Sequence, residues 1–359
     1  HEPVVFVAAD RDEQFDHEGI MVVRVNVRGK IPVALGIFRK GGVFRSLSWL
    51  WQSWMLNKAL QSFHRRQQVI VAQFASYMAT AFFRPRSIPA VVRISSLQSL
   101  LDKAYDNRLT VYTRLAQYLE AAAIKKADRL IGPGKKVAEH VTRLTGKKVG
   151  LVESPYIPFR GKLDEHPYKA FLAGKRYLLF FGSIGVLKGV KTLGDIMYGL
   201  LEKHPDLFFV FAGKDMGYGG GAMMDYVRAQ AGSLSCRVIC LGVLPQGQLL
   251  PIVEHACAVV LPSRIDNFPN TCLEAMACGQ IVVGTRGTSF EQLIEDGISG
   301  FLCNVDDGRS LMQAIEAALS MSEDEKRLMA GRARQRIDML QPAVTVAGLV
   351  DIYREVACR

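Results

Sequence analysis

Three side chains in the second half of the sequence, Lys188, Asp266 and Glu274, have types and spacing suited to a phosphorylated ligand. The stretch from Leu261 to Leu302 reads LPSRIDNFPNTCLEAMACGQIVVGTRGTSFEQLIEDGISGFL. A strand ends at Leu261, and a polar turn follows with Pro262, Ser263, Asp266, Asn267, Pro269 and Asn270. A helix of small residues is expected from about Thr271 to Cys278, stopped at Gly279 by a left-handed cap. The free N–H groups and dipole at such a helix start form a natural phosphate seat. Glu274, one turn inside, is within reach of a sugar hydroxyl, and Asp266, eight positions earlier, can face the same cavity. Taken singly, Asp266 reads as a turn-capping carboxylate and Glu274 as a surface helix position. The apolar neighbours Leu273, Ala275, Met276 and Ala277 make a solvated charge at Glu274 less natural. Upstream, Phe180–Gly189 (FFGSIGVLKG) is a strand running into a glycine turn that ends on Lys188. Alone, Lys188 reads as an exposed lysine before a helix.

The elements that must position these residues follow a repeated rhythm of short β-branched run, turn and helical stretch. Strand-like runs in the first half are Val4–Ala8, Met21–Val27, Val69–Ala72, Ala90–Ile94 and Arg129–Ile131. In the second half they are Tyr177–Phe181, Leu207–Ala212, Val238–Leu241, Ala258–Leu261, Ile281–Gly284 and Phe301–Cys303. Near-continuous apolar strands alternating with amphipathic helices indicate α/β architecture, with parallel sheets buried on both faces. At 359 residues the chain exceeds one typical core, so two domains are expected. A proline-marked junction, with Pro155, Pro158 and Pro167, lies over 154–171. The expected domains are therefore 1–156 and 171–335, followed by a helix over 336–359. No apolar run is long enough to cross a bilayer.

Charge is unevenly divided. Residues 1–170 hold 27 Lys/Arg against 14 Asp/Glu, whereas residues 171–359 hold 18 against 20, so the whole excess belongs to the first half. That bias suggests an anionic partner there. Within it, Phe44–Gln68 carries Trp49, Trp51 and Trp54 beside Arg45, Lys58, His64, Arg65 and Arg66. This is either an amphipathic helix docking the first domain on anionic lipid or a core helix with its tryptophans turned inward. Nucleic acid is the poorer partner, since no recognised binding motif accompanies the charge. The seven cysteines form no CxxC pair, which suits reduced thiols in a cytoplasmic protein, peripheral at the inner membrane face if the lipid reading holds.

The run Asp266-NFPNTCL-Glu274-AMACG resembles glycosyltransferase family 4, retaining enzymes of the GT-B fold, whose signature is an acidic pair with seven residues between, followed by Ala, a small apolar pair and Gly. Gly287-TSF-Glu291 and Glu295-DGISGFL are similar to the family's continuation. The resemblance implies two Rossmann-like domains facing across a cleft, with the donor held mainly by the second. It implies transfer of a hexose-type sugar from a nucleoside diphosphate to a carbohydrate or lipid-linked acceptor hydroxyl, in polysaccharide, cell-envelope or glycolipid synthesis. It assigns Glu274 to the donor ribose and Asp266 to the donor sugar. Asn267, Phe268, Pro269, Asn270 and Thr271 would line the donor site, and the amides near Asn270–Cys272, with Lys188, would stabilise the leaving diphosphate. Gly242, Val243 and Leu244 would hold the nucleobase. Glu291 also fits the donor site, although a T-x-x-E capping box with Thr288 explains it equally. Relatives usually carry arginine where this chain has Ser183, and many carry histidine at Ser95 or Ser96. No cofactor or divalent metal is required by these residues. The opening His1–Val7 is similar to the family's second strand, so the first strand-loop-helix unit is expected to be missing and the fragment inactive. A non-catalytic GT-B scaffold is the alternative. A nicotinamide dehydrogenase is rejected: Gly217-Y-Gly219-GG-Ala222 fits G-x-G-x-x-A, but the next strand ends without the acid that motif needs.

Overall fold

The computed structural model describes residues 2–27, 42–105 and 110–358. Contacts divide the chain into a first unit, His1–Val152 with Ala347–Arg359, and a second, Glu153–Val346.

The first unit begins with β1 (Val4–Ala9), β2 (Glu13–His17) and β3 (Ile20–Asn26), in the order β1-β3-β2. β1 lies parallel to β3, and β2 closes an antiparallel hairpin on it. The Gly42–Arg66 helix packs on these strands. Trp49 is buried at 2% exposure, Trp51 donates from Nε1 to the Val27 carbonyl at 3.1 Å, and Trp54 alone is exposed, at 40%. Two of the three tryptophans are thus spent on packing within this unit. Arg45 and Phe44 have side chains outside the described residues. A second sheet, all parallel, runs β4 (Ala72–Ala75), β5 (Ala90–Arg93), β6 (Arg129–Gly132), β7 (Val149–Leu151) in that spatial order. The Pro342–Ala357 helix closes this sheet: Val356 is buried with Val91 and Ile131, and Tyr353 Oη donates to Gln73 Oε1 at 2.6 Å.

The second unit holds one six-stranded parallel sheet. Its strands are β8 (Arg176–Phe181), β9 (Leu207–Ala212), β10 (Val238–Gly242), β11 (Ala258–Val260), β12 (Val282–Thr285) and β13 (Phe301–Cys303). The spatial order is β10-β9-β8-β11-β12-β13. Counted from the first strand of the unit this is 3-2-1-4-5-6, the doubly wound Rossmann order, and its direction reverses between β8 and β11. Tyr177 through Phe181 are all at 2% exposure or less, as a strand covered by helices on both faces requires. Tyr177 keeps its hydroxyl satisfied there by donating to the Ile252 carbonyl at 2.6 Å.

Among the described residues of the first unit, two acids are buried, Asp102 and Glu120. Glu120, on the Val111–Lys125 helix, is 1% exposed and accepts the Gln98 N–H at 2.7 Å through Oε2. Burial, with the Asp102 carboxyl nearby, pushes its pKa up to about 7 from 4.5. Between these values the folded unit keeps a proton that the unfolded chain has lost. Its contribution to stability is therefore fully present below 4.5 and is lost as pH rises through about 7. Compared with wild type, Glu120→Gln should show a flatter thermal-unfolding profile from pH 5 to 8. The wild type should lose on the order of 2 kcal/mol more over that range, at about 1.4 kcal/mol per unit of pKa. Parallel profiles would remove Glu120 as the source.

Candidate functional site

The site grows from the carboxyl ends of β8 and β11, where the strand order reverses and a doubly wound sheet leaves a crevice. β8 runs into a glycine-rich turn, a short 3-10 turn over Val186–Lys188, and then the Val190–Lys203 helix. Gly189 ends that turn in the left-handed region, at φ +72°, and a Cβ there would lie 1.8 Å from the Pro262 carbonyl oxygen. Only glycine lets the β8 loop reach the turn that follows β11. The approach is fastened by the Arg264 N–H, which donates to the Leu187 carbonyl at 2.9 Å.

Drawn together this way, Lys188 Nζ stands 2.5 Å from Asp266 Oδ2, across 78 residues of sequence. The carboxylate is the less exposed partner, at 11% against 34% for the lysine. Asp266 therefore holds the lysine in the β8–β11 crevice instead of capping its own turn. Just beyond it, the Asn270–Ala277 helix starts at Pro269 with no side-chain cap, leaving its first N–H groups open. Asn270 is exposed and Thr271 half-buried, and a Cβ on Gly182 would lie 3.6 Å from Thr271 Cγ2. Helix start and β8 turn thus line one place. Phe268 is 8% exposed and packs into the main core, so its ring anchors the turn. Asn267 is half-buried and Pro269 buried.

Glu274 faces a different neighbour. Its carboxylate accepts from Gln246 Nε2 at 3.3 Å, and burial pushes its pKa up. Gln246 opens the Gln246–Glu254 helix after β10, so Glu274 points toward the segment containing Gly242, Val243 and Leu244. There Gly242 accepts the Gly213 N–H at 2.7 Å, Val243 is 72% exposed, and Leu244 packs at the edge of the core. Gln246 carried no signal in the sequence beyond its place near a helix start. Ser183 is exposed at the end of β8.

Glu291 is exposed in a 3-10 turn, Ser289–Gln292, and does not form the expected capping box. Thr288 caps alone: its Oγ1 accepts the Phe290 N–H at 3.3 Å and donates to the Thr285 carbonyl at 2.7 Å. The glycine stretch after β9 is a capped loop. Asp215 accepts N–H groups from Gly217, Met223 and Met224 at 2.8–2.9 Å, so its carboxylate sits where a dinucleotide's phosphates would need to be. Burial opposes ionisation of Asp215, but these three donors outweigh it and lower its pKa.

In the first unit, Ser95 and Ser96 are tied to the chain. The Ser95 N–H donates to Ser76 Oγ at 3.1 Å, and Ser76 Oγ donates to the Ser96 carbonyl at 2.7 Å. The single Asp-x-Asp triplet, Asp10-Arg11-Asp12, lies in the β1–β2 turn, where Asp12 accepts the Asn26 N–H at 2.8 Å. Among the described residues no group of three or more His, Cys, Asp or Glu side chains is arranged to hold a metal, and no helix is long and apolar enough to cross a membrane.

Gly189→Ala should be among the most damaging single changes in this unit. It should lower stability by more than about 2 kcal/mol, from a left-handed alanine and a backbone collision together. Thermal unfolding measures this; a melting temperature unchanged from wild type would mean the two loops are not in contact.

Comparison with known proteins agrees with this architecture. The family model "Glycosyl transferases group 1" matches residues 163–336. A D-inositol 3-phosphate glycosyltransferase of Corynebacterium jeikeium is 26% identical over 239 residues, covering 64% of this chain and 52% of that protein. A lipopolysaccharide core biosynthesis mannosyltransferase of Rhizobium leguminosarum is 28% identical over 255 residues, covering 69% and 70%. The chain thus spans about half the length of the first of these relatives, at 52%. Among solved structures, sucrose-phosphate synthase from Thermosynechococcus elongatus superposes with a TM-score of 0.75 at 16% identity, over 98% of this chain and 88% of that one. The chain has the GT-B fold, and its second unit, over residues 163–336, is similar in sequence to the group 1 glycosyl transferases.

Proposed function

We propose that the chain transfers a sugar, with retention, from a nucleoside-diphosphate sugar to an acceptor hydroxyl in polysaccharide or glycolipid synthesis. The observation that carries this reading is the Lys188–Asp266 pair beside the uncapped start of the Asn270–Ala277 helix, at the reversal point of the second sheet. Lys188 and the helix N–H groups suit a diphosphate, and Asp266 keeps the lysine aimed at it. Glu274, across the helix with Gln246, suits the ribose hydroxyls.

In the proposed reaction the bond between the anomeric carbon and the diphosphate oxygen breaks, and its electron pair stays on that oxygen. The acceptor oxygen bonds to the anomeric carbon on the same face, and its proton passes to the leaving phosphate. The work of this chain is electrostatic: Lys188 and the helix dipole stabilise charge as it develops on the departing group. No metal enters this scheme.

The fit of an anionic membrane surface to the first unit has its own support. That unit carries the excess of Lys and Arg, and its Val111–Lys125 helix exposes Val111, Tyr112, Leu115 and Tyr118 along one side. Co-sedimentation with vesicles containing anionic lipid should be strong at low salt and fall at high salt. Equal binding to neutral vesicles at both salts would sink the electrostatic contribution.

Calorimetric titration of the natural full-length protein with nucleoside diphosphates and their sugars tests the donor site. One nucleotide should bind selectively. Lys188→Ala and Glu274→Ala should each weaken it roughly tenfold or more, the expected loss of one charge-assisted contact. Absence of binding across the panel would overturn the reading.

A further inference from the structure

The β8 turn holds a single lysine, and that lysine is already in contact with a carboxylate. A diphosphate ester carries about two negative charges at neutral pH. Lys188, shared with Asp266, offsets only part of that, so a second cation at the strand ends would be needed to bind the group firmly. The cations there can be taken in turn. Arg264 Nε donates to Asp306 at 2.8 Å, Lys191 Nζ to Asp195 at 2.8 Å, and Arg286 Nη2 to Asp296 at 2.5 Å. Lys214 is exposed and, among the described residues, has no side-chain hydrogen bond or ion pair.

Its position is fixed by the sheet. β8 pairs with β9 through Phe181 and Ala212, and the pairing resumes at Ile184 and Asp215 with the same offset. Ser183 and Lys214 are therefore register partners. The backbone confirms the spacing on both sides: Gly182 N–H donates to the Ala212 carbonyl at 2.9 Å and Ile184 N–H to the Lys214 carbonyl at 2.8 Å. The strands are pressed together at this point, since a Cβ on Gly213 would lie 1.8 Å from the Gly182 carbonyl oxygen. The two positions follow neighbouring strands about 4.8 Å apart, so their side chains start from adjacent points at the strand ends. A lysine stem spans that distance, and an ammonium needs no fixed bidentate geometry to hold a phosphate.

We infer that Lys214, just after β9, supplies the second positive charge to the donor diphosphate, standing in for a cation that the turn after β8 lacks at Ser183. This rests on the reading of the β8–β11 crevice as the donor site. Lys214 is then a binding residue of that site, on the side of β8 opposite Lys188's partner Asp266. It accounts for a neutral side chain at position 183 without loss of charge at the crevice.

The experiment titrates UDP, GDP and the matching monophosphates into wild type, Lys214→Ala, Lys188→Ala and Lys214→Ala/Ser183→Arg, with melting temperatures as a folding control. Lys214→Ala should weaken the bound diphosphate roughly tenfold and the monophosphate less, the scale of one charged contact. The dependence of affinity on salt should become shallower. Adding Ser183→Arg should restore binding to within about threefold of wild type. Wild-type affinity in Lys214→Ala, with loss in Lys188→Ala, would overturn the assignment of Lys214 and leave the donor site standing. No binding of any nucleotide by folded wild type would overturn both.

Discussion

At Gly189 the loop leaving β8 touches the carbonyl of Pro262, and at Gly213 the loop leaving β9 touches the carbonyl of Gly182. These two approaches, closer than any side chain allows, bring the ends of three neighbouring strands together. Everything at the crevice is downstream of them. Lys188 reaches Asp266 because the 3-10 turn at Val186–Lys188 is held against the turn after β11. The Asn270–Ala277 helix meets the β8 turn because the same β11 turn delivers it there. The core beneath is rigid and apolar, with Phe180, Phe209, Phe211 and Val259 fully covered, so the loops have a fixed platform.

Electrostatics at the crevice are arranged by pairing rather than by accumulation. The second half of the chain is close to neutral, yet its cations at the strand ends are mostly spoken for by carboxylates. Such exposed or half-exposed pairs add little to stability. Their effect is to orient long side chains and to leave few charges available to a ligand. The buried thiols point the same way toward inertness: burial pushes Cys278 and Cys303 up to about 12, so neither is a thiolate at neutral pH.

The fold was largely legible because parallel strands buried on both faces leave unbroken apolar runs, as Tyr177–Phe181 and Leu207–Ala212 do. β2 was missed for the opposite reason: its sequence, EQFDH, alternates charge with apolar side chains at an edge and looks like a turn. β4 begins at Ala72, not Val69, because the Val69 N–H is held by His64 Nδ1 at the end of the preceding helix. At the site, the spacing of Asp266 and Glu274 located both acids correctly in turn and helix. It did not show that they face different partners, Lys188 and Gln246, since both contacts join residues far apart in sequence. The Thr288–Glu291 pattern misled because four residues suffice to write a capping box but not to decide between α and 3-10 geometry. Lys214 had no signature at all; its place depends on register between two strands.

The Asp215 carboxylate at the start of the Met223–Ala231 helix behaves as an internal stand-in for an anion. Asp307 does the same for the Gly308–Ser320 helix, accepting the Ser310 N–H at 2.9 Å. Both helices follow strands whose ends lie along the same sheet edge as the crevice. A free anion would otherwise find several similar helix starts along that edge and could bind in more than one register. Because a tethered carboxylate is always present at its own seat, no dissolved phosphate competes with it on equal terms. The chain's own carboxylates thereby fill the helix starts after β9 and β13, while the Asn270–Ala277 helix begins without one.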